Sequence, residues 1–165
     1  MLKLMLVVVM LLHLTPGLTM AQTDPDFQGS YNDWKVFSRG SGAQRICYAL
    51  SEAQDKRPTQ VSHGNIFFMI ASWADKTATE QPNLAVGYPL APSNPPEARI
   101  GSNKFSLYVE GKEAFFENDK QIVASMRKGS VMRINAVSTR GTATAYKFSL
   151  SGVTAALRRV KAICG

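Results

Sequence analysis

From about residue 31 onward, the chain is a series of short segments in which apolar and polar residues alternate with period two, separated by turn-forming residues. That pattern predicts strands. "DWKVFS" and "RICYAL" are the first two; in the second, Ile46, Tyr48 and Leu50 alternate with Arg45, Cys47 and Ala49. "IFFMIASW" is apolar at nearly every position, as expected of a central strand with both faces covered. "LAVGYPLAPSNPPEARIG" begins and ends extended, while Pro89, Pro92, Pro95 and Pro96 keep its middle out of any ladder. "KFSLYVEGKEAFFEN" reads as a hairpin turning at Glu110-Gly111-Lys112, and "SVMRINAVS" and "TATAYKFSL" form a second hairpin around "TRG". "SEAQDKRPTQVSHGN" and "ADKTATEQPN" are polar connections.

Two stretches switch to helical spacing. "KQIVASMRK" places Ile122, Val123 and Met126 on one side, with Asp119 expected as its cap and Gly129 as its stop. In "SGVTAALRRVKAICG", Val153, Leu157, Val160 and Cys164 fall on one stripe, and Ser151 is the expected cap. Many short strands, frequent turns and two helices predict a mainly β fold: an antiparallel β-sandwich or partly closed barrel with a short helix and a C-terminal helix. The aromatics Trp34, Tyr48, Phe67, Phe68, Phe105 and Phe148 are expected in its core.

The first 30 residues differ. Lys3, an apolar run from Leu4 to Leu12, a Pro16-Gly17 break, and Thr19 and Ala21 before a cut form the layout of a secretory signal peptide over 1–21. The run is shorter than the ~20 residues of a membrane-spanning helix. Residues 22–30 are polar and are expected to be a flexible leader to a single domain over 31–165. Export leads to an oxidising compartment, where two cysteines favour a disulfide between Cys47 and Cys164 over two buried thiols. Such a bond would pin the last helix to an early strand.

Charge is uneven. From Lys120 to the end there are nine basic residues and no acid. Lys128, Arg140, Arg158, Arg159 and Lys161 are the candidate binding residues of a basic face for an anionic envelope or host-surface component. The alternative is plain solvation, with the last-turn cations complementing the helix dipole. Nucleic acid is an unlikely partner, because no aromatic residues interleave with the basic ones to stack bases.

Catalytic signatures are missing from the sequence. His63 is the one histidine after residue 21, so no multi-histidine metal site is expected, and "SHG" in a polar loop reads as a surface turn. Neither "SRGSGAQ" nor "SHGN" is a nucleophile elbow. Glu110, Glu113, Glu117 and Asp119 could supply a carboxylate pair, but they stand beside a turn and a helix start, where solvated acids are common. No metal, cofactor or enzymatic activity is expected.

The order "WKV", "ICYALSEA", "VGYPL", "ARIGSNKFSLYVEGKEAFF" and "IVASMRKGSVMRINAVSTRGTATAYKFSLSGVTAAL", then a terminal cysteine, resembles the invasion-associated locus B family of alphaproteobacteria. Its most specific parts are M-R-K-G, S-x-R-G and F-S-L-S-G-x-x-A-A-L. The resemblance implies an exported, mostly antiparallel β protein of the periplasm or outer membrane, or one that is secreted. It also implies a Cys47–Cys164 pair, and a link to host-cell invasion in host-associated species. Lys128, Arg140 and Gly141 match family motif positions. The other function class is a structural or chaperone-like envelope protein that engages another protein through a sheet edge or apolar groove.

Overall fold

A computed structural model describes residues 24–165. The expected signal segment 1–21 and its cut lie outside the described residues. The strands are β1 (Asp26–Tyr31), β2 (Trp34–Arg39), β3 (Ile46–Glu52), β4 (Asp55–Arg57), β5 (Phe67–Trp73), β6 (Gln81–Ala85), β7 (Glu97–Ile100), β8 (Asn103–Glu110), β9 (Glu113–Phe116), β10 (Val131–Val137) and β11 (Ala143–Ser149). The helices are α1 (Asp119–Met126) and α2 (Val153–Cys164).

All strand pairs are antiparallel, in the order β1-β2-β3-β5-β6-β9-β8-β7-β10-β11-β4. The ladder has two ends, β1 and β4, so the sheet is not closed. It folds over at two corners. β8 pairs with β7 through its first half and with β9 through its second. β3 runs on through Ala53 and Gln54 into β4, where Gln54 N–H donates to the Lys147 carbonyl at 2.8 Å. The larger half holds β1, β2, β3, β5, β6 and β9; the smaller holds β7, β10, β11 and β4. β8 belongs to both. Phe68 stands where their inner faces meet, with ring centroids 6.3 Å from Trp34, 5.8 Å from Phe116 and 5.7 Å from Phe148. The Trp34 indole N–H donates to the Ser149 carbonyl at 3.0 Å, joining the halves by a buried polar contact.

α2 packs against the inner face of β1, β2, β3 and β5. The predicted stripe is correct: Val153, Leu157, Val160 and Cys164 are buried, and Ala156 with them. Cys164 bonds Cys47 of β3, a link 117 residues apart in sequence.

Several local expectations change. β1 covers most of the expected leader; as an edge strand with little burial it has no apolar alternation to reveal it. It is held by ladder bonds to β2 and by Phe27 against Phe37. The polar connection after β3 contributes β4. On β3 it is Cys47, Ala49 and Ser51 that face inward, while Ile46, Tyr48 and Leu50 stay half-exposed on the outside. Tyr48 and Phe67 therefore leave the expected core, whereas Trp34, Phe68, Phe105 and Phe148 are in it. β5 is central in the ladder, between β3 and β6, yet only one of its faces is covered.

The caps also move by one residue. Asn118, not Asp119, caps α1 by accepting the Gln121 N–H at 3.1 Å. Asp119 stands in the first turn, where partial burial raises its pKa. α2 starts from Gly152 at φ +97°, and the Ser151 hydroxyl instead receives the Asn32 amide at 3.0 Å. A Cβ on Gly152 would overlap the Tyr31 carbonyl oxygen, so glycine alone fits both the backbone angle and the space. Gly129 has no positive φ; it is needed because a Cβ would press on Ile100.

Two outcomes test this account. Unfolded mature protein without reductant should show no free thiol, and C47A/C164A should lose up to about 4–5 kcal/mol in chemical denaturation. G152A should lose about 3 kcal/mol or more by the same measurement, from strain plus overpacking.

Candidate functional site

The five candidate cations do not form one surface. Arg158, Arg159 and Lys161 lie on the exposed side of α2. None has a carboxylate within ion-pair distance among the described residues. Arg159 donates to the Gln28 side-chain oxygen at 3.1 Å, toward β1. A cation not foreseen from the sequence joins them: Lys76, in the β5–β6 loop, donates to the Cys164 carbonyl at 2.9 Å and caps the end of α2. Lys76 and Lys161 share the rim of one small cavity. Its acid, Glu80, is paired with Arg127.

Lys128 and Arg140 stand at opposite ends of the β10–β11 hairpin, since β10 runs from Val131 to Val137 between them. Seven residues at ~3.4 Å each separate those ends by roughly 20 Å. Lys128 follows α1. Its end of the hairpin adjoins the start of α2, where Leu150 N–H donates to the Ser130 carbonyl. Arg140 is at the far tip, in the expected turn. Ser138 N–H donates to the Thr142 carbonyl at 3.0 Å, Ser138 Oγ accepts the Thr142 N–H at 3.1 Å, and Gly141 takes φ +82°. Ser138 and Gly141 are thus accounted for by the turn; the exposed Arg140 has no acidic partner among the described residues.

Arg140 overhangs a cleft of about 640 Å³ that also contains His63, Tyr88 and Thr144. Contrary to the surface expectation, His63 is 8% exposed. Its Nε2 lies 2.8 Å from the Pro58 carbonyl, and its Nδ1 lies 3.0 Å from the Tyr146 hydroxyl. A carbonyl only accepts, so Nε2 donates; in the neutral ring Nδ1 then accepts from Tyr146. Tyr146 in turn accepts from Tyr88 at 2.6 Å, and Tyr88 accepts from Thr144 at 2.7 Å. With the ring neutral, the direction from Tyr88 to Tyr146 to His63 to Pro58 follows from one carbonyl; the Thr144 hydroxyl also donates to the Ala136 carbonyl at 3.2 Å. Burial pushes the Tyr146 pKa far above the ordinary tyrosine value. Both His63 nitrogens are occupied, which leaves neither free as a base in this arrangement. The residues of this chain come from three separate segments, and nothing local in the sequence marks it.

The carboxylates gather at one corner. Glu110 and Glu113 are directly opposed across the β8–β9 turn, and Glu117 and Asp119 lie just beyond β9. Among the described residues, no group of three or more histidine, cysteine or acidic side chains is placed to hold a metal ion. No described helix is long and apolar enough to cross a membrane.

A family model described as "Invasion associated locus B (IalB) protein" matches residues 34–161. The chain belongs to the invasion associated locus B family. Among solved structures, it is similar to the crystal structure of invasion associated protein B from Bartonella henselae. The TM-score is 0.60 at 16% identity, over 82% of this chain and 96% of that one. At that identity the likeness establishes the antiparallel fold. A search of curated proteins gave no match. The family motifs named from the sequence are largely accounted for by the fold: Met126 and Phe148 are core, Gly129 and Gly152 are close approaches, and Gly141 is a turn.

A contrast in stability tests these assignments. Y146F should cost about 1–3 kcal/mol, because it removes the donor to His63 and the acceptor for Tyr88. R140A should stay within about 0.5 kcal/mol of wild type, as an exposed residue without a partner. Thermal melts of both variants measure the difference.

Proposed function

We propose that this member of the invasion associated locus B family is an exported, non-enzymatic protein of the envelope or extracellular space. It binds an anionic surface component through the outer side of α2. The observation that carries this reading is the exposed set Arg158, Arg159 and Lys161, with no carboxylate paired to it among the described residues. α2 is a firm platform for such a face, being tied at its start by Gly152 against Tyr31 and at its end by the disulfide and Lys76. Lys76 extends the positive area toward the β5–β6 loop, and Lys128 lies toward the helix start. Arg140 is too far away to join this face. The disulfide fits an oxidising compartment, and the occupied His63 favours binding over hydrolysis. Host-cell invasion is one setting in which such binding would serve.

The test is binding of mature protein to outer-membrane vesicles and to anionic lipid vesicles at low and high salt. Binding should fall steeply as salt rises. R158Q/R159Q/K161Q should weaken it about a hundredfold, at about 1 kcal/mol per cation near an anionic surface, with an unchanged melting temperature. Equal binding by variant and wild type, or binding by neither, would overturn the proposal.

A further inference from the structure

The outer face of the larger half-sheet is apolar in a way its position does not require. The core lies on its other side, together with α2. Strand register places side chains in rows across this outer face. One row runs Phe27, Phe37, Tyr48, Ala71; the next runs Leu50, Met69, Asn83, Phe115, Tyr108. The rings form layers: Phe37 stacks on Tyr48 at 5.6 Å and Tyr108 on Phe115 at 5.8 Å. Ile46 and Trp73 extend the apolar surface at one end and Phe67 at the other. Phe27 is 58% and Tyr108 44% exposed, and a shallow groove between them passes Met69 and Ala71. Among the described residues, no helix packs on this face. Isolated exposed apolar residues are ordinary, but a continuous patch of this breadth marks an interaction surface.

The charges say what covers it. Lys35 and Arg39 lie on β2, toward one flank of the face. Lys35 shares the row of Leu50 and Met69, and Arg39 that of Ile46 and Trp73. Glu113 lies on β9 and Glu110 on β8, both toward the other flank. None of the four has an ion-pair partner among the described residues. Apart from Glu52, which shares the Phe67 row and is paired with Lys56, the middle of the face is uncharged. A surface that is cationic on one flank and acidic on the other is complementary to itself under a two-fold rotation. With the axis in the interface plane along β5, each β2 lies over the other copy's β9. Lys35 then comes within one row of Glu110 and Glu113, whereas Arg39 lies three rows from them; Phe27 approaches the Tyr108 side, and the Met69 regions meet. Seven strands of four to seven residues on this face, at ~4.8 Å spacing, give a footprint of about 600 Å², the low end of the area per partner in stable complexes.

We infer that the outer face of the β1-β2-β3-β5-β6-β9-β8 sheet is the interface of a symmetric homodimer, in which Lys35 of each copy meets the β8–β9 acids of the other. The inference is independent of the α2 reading, because α2 lies on the opposite side of the same sheet and stays exposed in the dimer.

The experiment uses light scattering coupled to size exclusion on mature protein over a concentration series, with three variants. Wild type should have the mass of a dimer. M69K, at the centre of the face, should raise the dissociation constant by about tenfold or more. K35E/R39E makes both flanks acidic and E110K/E113K makes both basic, so each variant alone should be monomeric. Mixed in equal amounts, the two should dimerise, because both contacts of the mixed pair are complementary; that recovery also shows that both variants are folded. A monomeric wild type at all concentrations, or a mixture that stays monomeric, would overturn the inference.

Discussion

The inner faces of β1, β2 and β3 carry the constraint on which the rest of the structure depends. The smaller half-sheet faces only part of the larger one, so Val36 and Cys47 would otherwise look into water. α2 supplies the missing layer with Val153, Ala156, Leu157 and Val160. A twelve-residue helix at the end of a chain is marginal by itself. Its start is therefore seated against the β1–β2 turn, where Gly152 touches Tyr31 and Asn32 meets Ser151. Its last turn is bonded to β3 through Cys164 and hydrogen-bonded by Lys76. Cys164 thus stands in the last turn of α2, where fraying of the helix would begin.

This arrangement separates the motif residues that build the fold from the candidate cations. Phe148, Leu150, Gly152, Ala156 and Leu157 pack or cap, and explain a recurrent sequence without any reaction. Lys128, Arg140, Arg158, Arg159 and Lys161 hold nothing of the core together. The two groups are interleaved along the chain because a helix and a hairpin each present one side inward and one outward. The proposed binding residues and the fold residues thus share the same thirty-odd positions. The α2 cations spread over the exposed side of one helix, whereas Lys128 and Arg140 are separated by the length of a strand.

Periodicity was informative wherever one side of an element was apolar and the other polar. The α2 stripe and the two hairpins were legible for that reason, and the central place of β5 from its nearly unbroken apolar run. It misled where both sides are apolar: β3 turns its smaller residues, Cys47 and Ala49, inward because α2 and the disulfide need room there, and Tyr48 goes out. It was silent at β1 and β4, edge strands held by ladder bonds more than by burial. Asn118 and Gly152 took the cap positions from Asp119 and Ser151 because a cap depends on the backbone angles at one residue, which neighbouring polar residues do not distinguish.

The sequence by itself determined the β-rich class, the amphipathic closing helix, the excess of cations after Lys120 and the family. Each of these resides in composition, spacing or a short motif, and so is local. Only the tertiary structure decided which side of the larger half-sheet is the core, and that the other side is an uncovered apolar face flanked by opposite charges. It also decided that His63 is a buried link between Tyr146 and Pro58, and that Arg140 stands apart from the α2 cations. Those features join residues up to a hundred positions apart. Their neighbours are chosen by strand order and by the folding of one sheet over itself, and no local pattern of side chains encodes that choice.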